Sequence, residues 1–132
     1  MTIGGATSVE YIDAVFLSLY IIHPKVKELK IDLKHVVNAT TLNIITNCCN
    51  NPDANMGTGT GTMSKFSDLG TTSAASYAVP GVSVVYKPEG GTFSASFLNK
   101  MANTGWDLII NDNAGGTAGT LESWEIIEQI CN

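Results

Sequence analysis

From Val9 to His23 the side chains alternate at a period of two. Val9, Tyr11, Val15, Leu17, Leu19, Ile21 and His23 fall on one face, and Glu10, Ile12, Ala14, Phe16, Ser18, Tyr20 and Ile22 on the other. Successive strand residues point to opposite faces of a sheet, so the run predicts one long strand with its first face in the core. The second face carries Phe16, Tyr20 and Ile22, more apolar surface than water favours; either a loop of this chain or a partner should cover it. Val26–Leu33 predicts a second strand with Leu29, Ile31 and Leu33 inward, and Leu42–Ile45 a short third. Phe66 begins a turn region. Val82–Tyr86 reads as a strand stopped at Pro88, and Phe93–Leu98 as another, with Phe93, Ala95 and Phe97 on one side.

The last third predicts a closing hairpin. Trp106, Leu108 and Ile110 alternate, as do Trp124 and Ile126 after the Gly-rich segment 114–119, so the two tryptophans are expected as buried anchors on one sheet face. Leu121, Trp124, Ile127, Glu128 and Ile130 also fit a helical stripe, but a short segment after a Gly-rich turn favours a strand. Short strands separated by Gly, Pro and Asn predict an all-β, jelly-roll-like β-sandwich forming a single domain over residues 9–132, with 1–8 as an N-terminal extension.

Composition narrows the class. Charged residues are only 14% of the 132 while 44% are apolar, so Thr, Ser, Asn and Gly must cover the surface, as in many extracellular and virion β-proteins. Seven lysines, scattered from Lys25 to Lys100, stand against twelve acidic residues. The net charge of -5 argues against a nucleic-acid partner, which needs a clustered positive face. The start lacks the basic and apolar regions of a signal peptide, and no apolar run approaches the ~20 residues that span a bilayer. Cys48, Cys49 and Cys131 leave three options: one disulfide with a free thiol, three thiols, or an intermolecular link. Adjacent cysteines rarely pair, so Cys131 with Cys48 or Cys49 is the easier bridge. Zinc lacks a second ligand pair.

Little in the chain carries chemistry. No Ser sits in a nucleophile elbow, His23 reads as a packed, hydrogen-bonded residue, and His35 as a solvated one in a loop; the expectation is a protein without catalysis. The Gly-Thr run Gly57–Thr62 lacks the lysine of a phosphate loop and reads as a surface loop. Asp112 and Asn113, with the carbonyls of the turn after them, are hard oxygen ligands of the kind calcium accepts. Alternatively Asp112 caps that turn through backbone amides.

Four ordered pieces carry a family resemblance. Ile21 and His23 followed by Leu29-Lys30-Ile31-Asp32-Leu33, then Phe66-Ser67-Asp68, then Tyr86-Lys87-Pro88, then Gly105-Trp106-Asp107-Leu108 with Asp112 and Gly119-Thr120-Leu121-Glu122-Ser123-Trp124 resemble the P domain (Homo B domain) of subtilisin-like proprotein convertases, from about residue 9 to 128. Glu28 stands where that family has Asp, and the segment His35–Thr40 replaces its Ser-Pro-x-Gly-Thr turn. The resemblance implies an extracellular accessory module that packs on and stabilises a subtilisin-like protease domain, with Phe16, Tyr20 and Ile22 as the interface. It also implies a weak calcium site: Asp112 is kept, but Thr117 stands at the usual second Asp, so Asp68 or Asp53 would have to join Asp112 and Asn113. The alternative is a structural or adhesive jelly roll of a virion or cell surface. A carbohydrate-binding sandwich would need an exposed aromatic row, for which Tyr77, Tyr86 and the two tryptophans are the only stock.

Overall fold

In the computed structural model, which describes residues 2–3, 6–7, 11–47, 55–100, 102, 104–113 and 119–131, a small antiparallel hairpin, β1 (Thr2–Ile3) and β2 (Ala6–Thr7), precedes the long alternating strand β3 (Tyr11–Ile22). Val15, Leu17, Leu19 and Ile21 face the core, as the alternation requires. Ile12 does too, although strict alternation would turn it outward. The strand β10 (Thr120–Cys131) pairs with β3 so that Gln129 faces Ala14 and Ile130 faces Ile12, which leaves Asp13 as an extra residue; this bulge resets the alternation and turns Ile12 inward.

After a 3-10 turn at Val26–Glu28, the predicted second strand begins later and runs further, as β4 (Leu29–His35), and pairs with β5 (Thr40–Thr46). β9 (Trp106–Asp112) pairs with the other side of β4, giving a three-stranded sheet in the order β5-β4-β9. The second sheet runs β10-β3-β6-β8-β7, where β6 is Ser64–Phe66, β7 Thr72–Ser73 and β8 Val85–Lys87. Phe66 therefore lies within a central strand and is fully buried, while Val82 and Val84 stay outside β8 and exposed. The two sheets bury a common core in which Leu17, Leu19 and Phe66 of one meet Ile31, Leu33 and Leu42 of the other. This is an all-β sandwich.

Two elements differ from expectation. Phe93–Phe97 forms a short helix, α1, rather than a strand. Thr92 caps it by accepting the Ala95 N–H, and the Asp68 carboxylate accepts the N–H groups of Phe93 and Ser94, which outweighs the β-propensity of the two phenylalanines. Phe93 and Phe97 share a face in either conformation, since a spacing of four is even and also close to one helical turn. The closing hairpin is likewise absent: β9 and β10 lie in different sheets. Trp106 and Trp124 still face the interior, from opposite sides, but each is only partly buried against the core.

The segment 56–62 makes ordered contacts. Met56 bridges Ile21, the Gly57 N–H donates to the Pro80 carbonyl at 2.7 Å, and Gly59 bridges Thr62. Cys48, Cys49 and Asp53, the N-terminal start of the predicted first strand at Val9 and Glu10, and the turn residues 114–118 lie outside the described residues, as does the side chain of Cys131.

An aromatic cluster fills the end of the core under β6. Tyr77 lies with its ring centroid 6.3 Å from Phe66 and 4.8 Å from Tyr86, and its hydroxyl meets Ser64 Oγ at 2.6 Å and donates to the Pro80 carbonyl at 2.8 Å. Burial pushes the Tyr77 phenol well above its ordinary range, against a smaller downward pull from the Ser64 hydrogen bond. The fold thus favours the neutral form. Its contribution to stability is complete below the unfolded pKa of about 10 and is lost as pH rises past that value. Thermal melts should show a steep loss of stability above pH ~10, and Tyr77→Phe should flatten that slope even if it lowers stability at neutral pH.

Candidate functional site

At one end of the sandwich, three segments meet on His23. The residue follows the last residue of β3 and is 2% exposed. Its backbone N–H donates to Asn55 Oδ1 at 3.1 Å, and the Lys25 N–H donates to its Nδ1 at 2.9 Å. Nδ1 is therefore an acceptor, which places the ring proton on Nε2, and Nε2 donates to Asp112 Oδ2 at 2.9 Å. Glu28, in the 3-10 turn, brings its carboxylate close: one ligand-type atom from each of His23, Glu28 and Asp112 lies within 4.8 Å of the others. The Asn113 N–H donates to the Glu28 carbonyl at 2.9 Å, and its side-chain amide donates to Asn47 Oδ1 at 3.0 Å. Gly119 closes the knot, because a Cβ there would strike the Ile22 carbonyl and come within 2.8 Å of His23 Cβ. Beside it lies a cleft of about 380 Å³ lined by His23, Asp112, Leu29, Ile110 and Leu121 among others.

Both ring nitrogens of His23 are engaged in hydrogen bonds within the chain. Neither His23 nitrogen has a lone pair left for a substrate proton, since one is taken by the Lys25 amide and the other carries hydrogen toward Asp112. A transition metal on Nε2 would need that proton removed and Nδ1 protonated against the Lys25 N–H, two donors facing each other. Of the six to eight oxygens that calcium takes, the acidic groups that meet here supply those of the Asp112 and Glu28 carboxylates. Asp68 is not part of the group. Its Oδ1 accepts the Phe93 N–H at 2.7 Å, and its Oδ2 accepts the Ser94 N–H and Oγ–H at 2.8 Å each, so both oxygens serve α1. Of the three residues expected as ligands, the structure brings Asp112 and Asn113 to this end, adds Glu28 and His23, and places Asp68 in a cap.

His35 is not solvated. It ends β4 opposite Trp106 and is completely buried. Nε2 meets Thr104 Oγ1 at 2.9 Å and Nδ1 meets the Asn38 amide at 3.0 Å, with the Trp106 ring edge-on at 4.8 Å.

The other candidate is the outer face of the five-stranded sheet. Phe16 lies directly opposite Ile127 on β10, and Ser18 opposite both Glu125 and Lys65. These residues, with Val85 of β8 and Leu69, border an apolar groove of about 340 Å³. Ile127 is 52% exposed and Leu69 80% exposed, so the groove is rimmed by side chains that face water. Tyr20 and Ile22 lie further along β3, about 13 Å and more from Phe16, outside the groove lining. The expected row thus divides: Phe16 joins a patch, while Tyr20 is half-buried opposite Ser123 and Ile22 exposed opposite Thr120. Sequence spacing along β3 could show Phe16 but not Ile127, Leu69 or Val85, which come from three other segments. Tyr77 and Tyr86 are buried, which removes them from any exposed sugar-binding row.

No family model matches the chain, and neither a curated protein nor a solved structure matches it. No helix among the described residues is long and apolar enough to cross a membrane.

Proposed function

We propose that this chain is a non-catalytic interaction module of the extracellular space, one that packs on another folded protein domain through the outer face of its five-stranded sheet. The observation that carries the reading is the groove between Phe16, Ile127, Leu69 and Val85, an apolar surface flanked by one Lys and one Glu and therefore close to neutral. Such a surface is complementary to an apolar, uncharged patch rather than to a charged ligand. The His23 knot supports the absence of catalysis, because its imidazole is consumed by internal hydrogen bonds. The ordered segments that resemble the convertase P domain point to the partner: a subtilisin-like catalytic domain, stabilised by the contact.

The test is a thermal melt of a subtilisin-like catalytic domain from the same genome, with and without the chain. Wild type should raise its melting temperature and Phe16→Ser should not, while the Phe16→Ser chain itself should lose no more than about 1 kcal/mol of stability. A Phe16→Ser chain that unfolds would make the patch internal packing. Concentration-dependent oligomers of the wild-type chain that Phe16→Ser abolishes would favour a self-assembling jelly roll of a virion or surface layer instead.

A further inference from the structure

The net charge falls in the last quarter of the sequence. Residues 1–100 contain all seven lysines and seven of the twelve acidic residues, and so balance; residues 101–132 contain Asp107, Asp112, Glu122, Glu125 and Glu128 and no Lys or Arg. All five are on β9, on β10 or at their ends. These two strands are edges of opposite sheets on the same side of the sandwich, linked across the gap by the Trp106 indole N–H donating to Glu128 Oε1 at 3.1 Å.

β10 is the longest unpaired edge among the described residues. It pairs with β3 on one side over its whole length, and about half of its twelve residues direct their N–H and C=O groups to the other side. The remaining edges are treated differently. β7 has only two residues, and β5 is capped by the Glu89 and Gly90 N–H groups on the Ile44 and Asn43 carbonyls and by the Glu89 carboxylate on the Thr46 N–H. Along the inner side of the margin, Trp124, Ile126, Leu108 and Ile110 remain partly exposed.

We infer that β10 accepts, by strand addition, an extended segment of a partner protein in which basic residues alternate with aliphatic ones. Backbone hydrogen bonds would supply the pairing, the aliphatic side chains would cover the half-exposed inner row at Trp124 and Ile126, and the basic ones would meet Glu125 on the outer face and Glu122 at the bulge. The β10 edge of a second copy carries the same three carboxylates and no base to meet them. Antiparallel self-pairing centred on Glu125 would set Glu125 against itself and Glu122 against Glu128, and like charges directly opposite destabilise a strand pair. Nucleic acid carries the wrong sign. The outer-face groove also borders on Glu125, so Phe16→Ser, which alters that groove and not the β10 edge, tells the two surfaces apart.

The experiment titrates the full chain with a peptide of about nine residues that alternates Lys and Val, long enough to pair along most of a strand. Tryptophan fluorescence reads the binding, and amide hydrogen exchange reads its place. Expected are saturable binding, protection of alternate β10 amides, an about tenfold loss between low and ~0.5 M salt, and a similar loss in Glu125→Lys. A peptide with two valines replaced by proline should not bind, because it cannot pair, and Phe16→Ser should bind as wild type does. Equal binding of the proline peptide would reduce the effect to charge attraction alone. No binding, or equal binding of a Glu/Val peptide, would mean the carboxylates only guard the edge against aggregation; either result overturns the inference.

Discussion

Phe97→Ala should cost the domain about 3–5 kcal/mol, a large share of the ~5–15 kcal/mol that folds a typical domain. Phe97 is fully buried on α1, where its ring lies 4.8 Å from Trp106, edge-on, and 6.4 Å from both Phe93 and His35. Removing it opens a cavity between α1 and the inner face of β4, and the buried His35 hydrogen bonds border that cavity. Trp106→Ala should cost less, because the indole is partly solvated and its N–H partner, Glu128, can reach water instead. The order is the reverse of what a large aromatic in an alternating strand suggests. Urea melts of the two variants compare them directly, and a costlier Trp106→Ala would mean the sandwich margin is closed rather than open.

Gly81→Ala should be more damaging than its one carbon suggests, at about 3 kcal/mol or more. Gly81 has φ +67°, a conformation that costs a residue with a side chain roughly 1–2 kcal/mol. The larger cost is steric. The new Cβ would overlap Cε2, Cζ and the hydroxyl oxygen of Tyr77, whose ring is held in place: it is 1% exposed, packed on Tyr86 and Phe66, and hydrogen-bonded to Ser64 and to the Pro80 carbonyl. Displacing it would break buried hydroxyl bonds as well as ring contacts. Gly61→Ala is the matched control, since nothing lies within 4 Å of the added carbon. The control should melt within about 0.5 kcal/mol of wild type, and a Gly81→Ala that does the same would show that the Tyr77 ring has room to move.

What could be read from the chain was periodicity within one segment. The inward set of β3 and that of β4, and the strand character of β9 and β10, follow from a period of two. What escaped was pairing between segments. Trp106 and Trp124 satisfy the same alternation whether their strands are neighbours in one sheet or face each other across two, and the choice depends on β3 and β4 capturing them first. Phe93 and Phe97 fit a strand and a helical turn equally well until Asp68, 25 residues upstream, is seen at the helix start. His35 reads as a loop residue when the second strand is ended at Leu33, yet β4 continues far enough to bury it beside Trp106. The candidate site was half legible. Asp112 and Phe16 stood out by type and position, whereas the His23–Asp112 bond joins residues 89 apart and leaves no local trace.

The pairing of β10 with β3 also sets an order of events. Residue 11 lies beside residue 131, and residue 22 beside residue 120. On a growing chain the β4–β5 hairpin can close at once, since its partners are near in sequence. The apolar face of β3 must instead wait on the order of 100 residues for its outer neighbour, and closing so long a loop makes folding slow more than it makes the product weak. Until β10 arrives, Leu17, Leu19 and Ile21 have a bare strand edge next to them. This sandwich is therefore a late-closing fold, most exposed to misassembly just before its last strand docks.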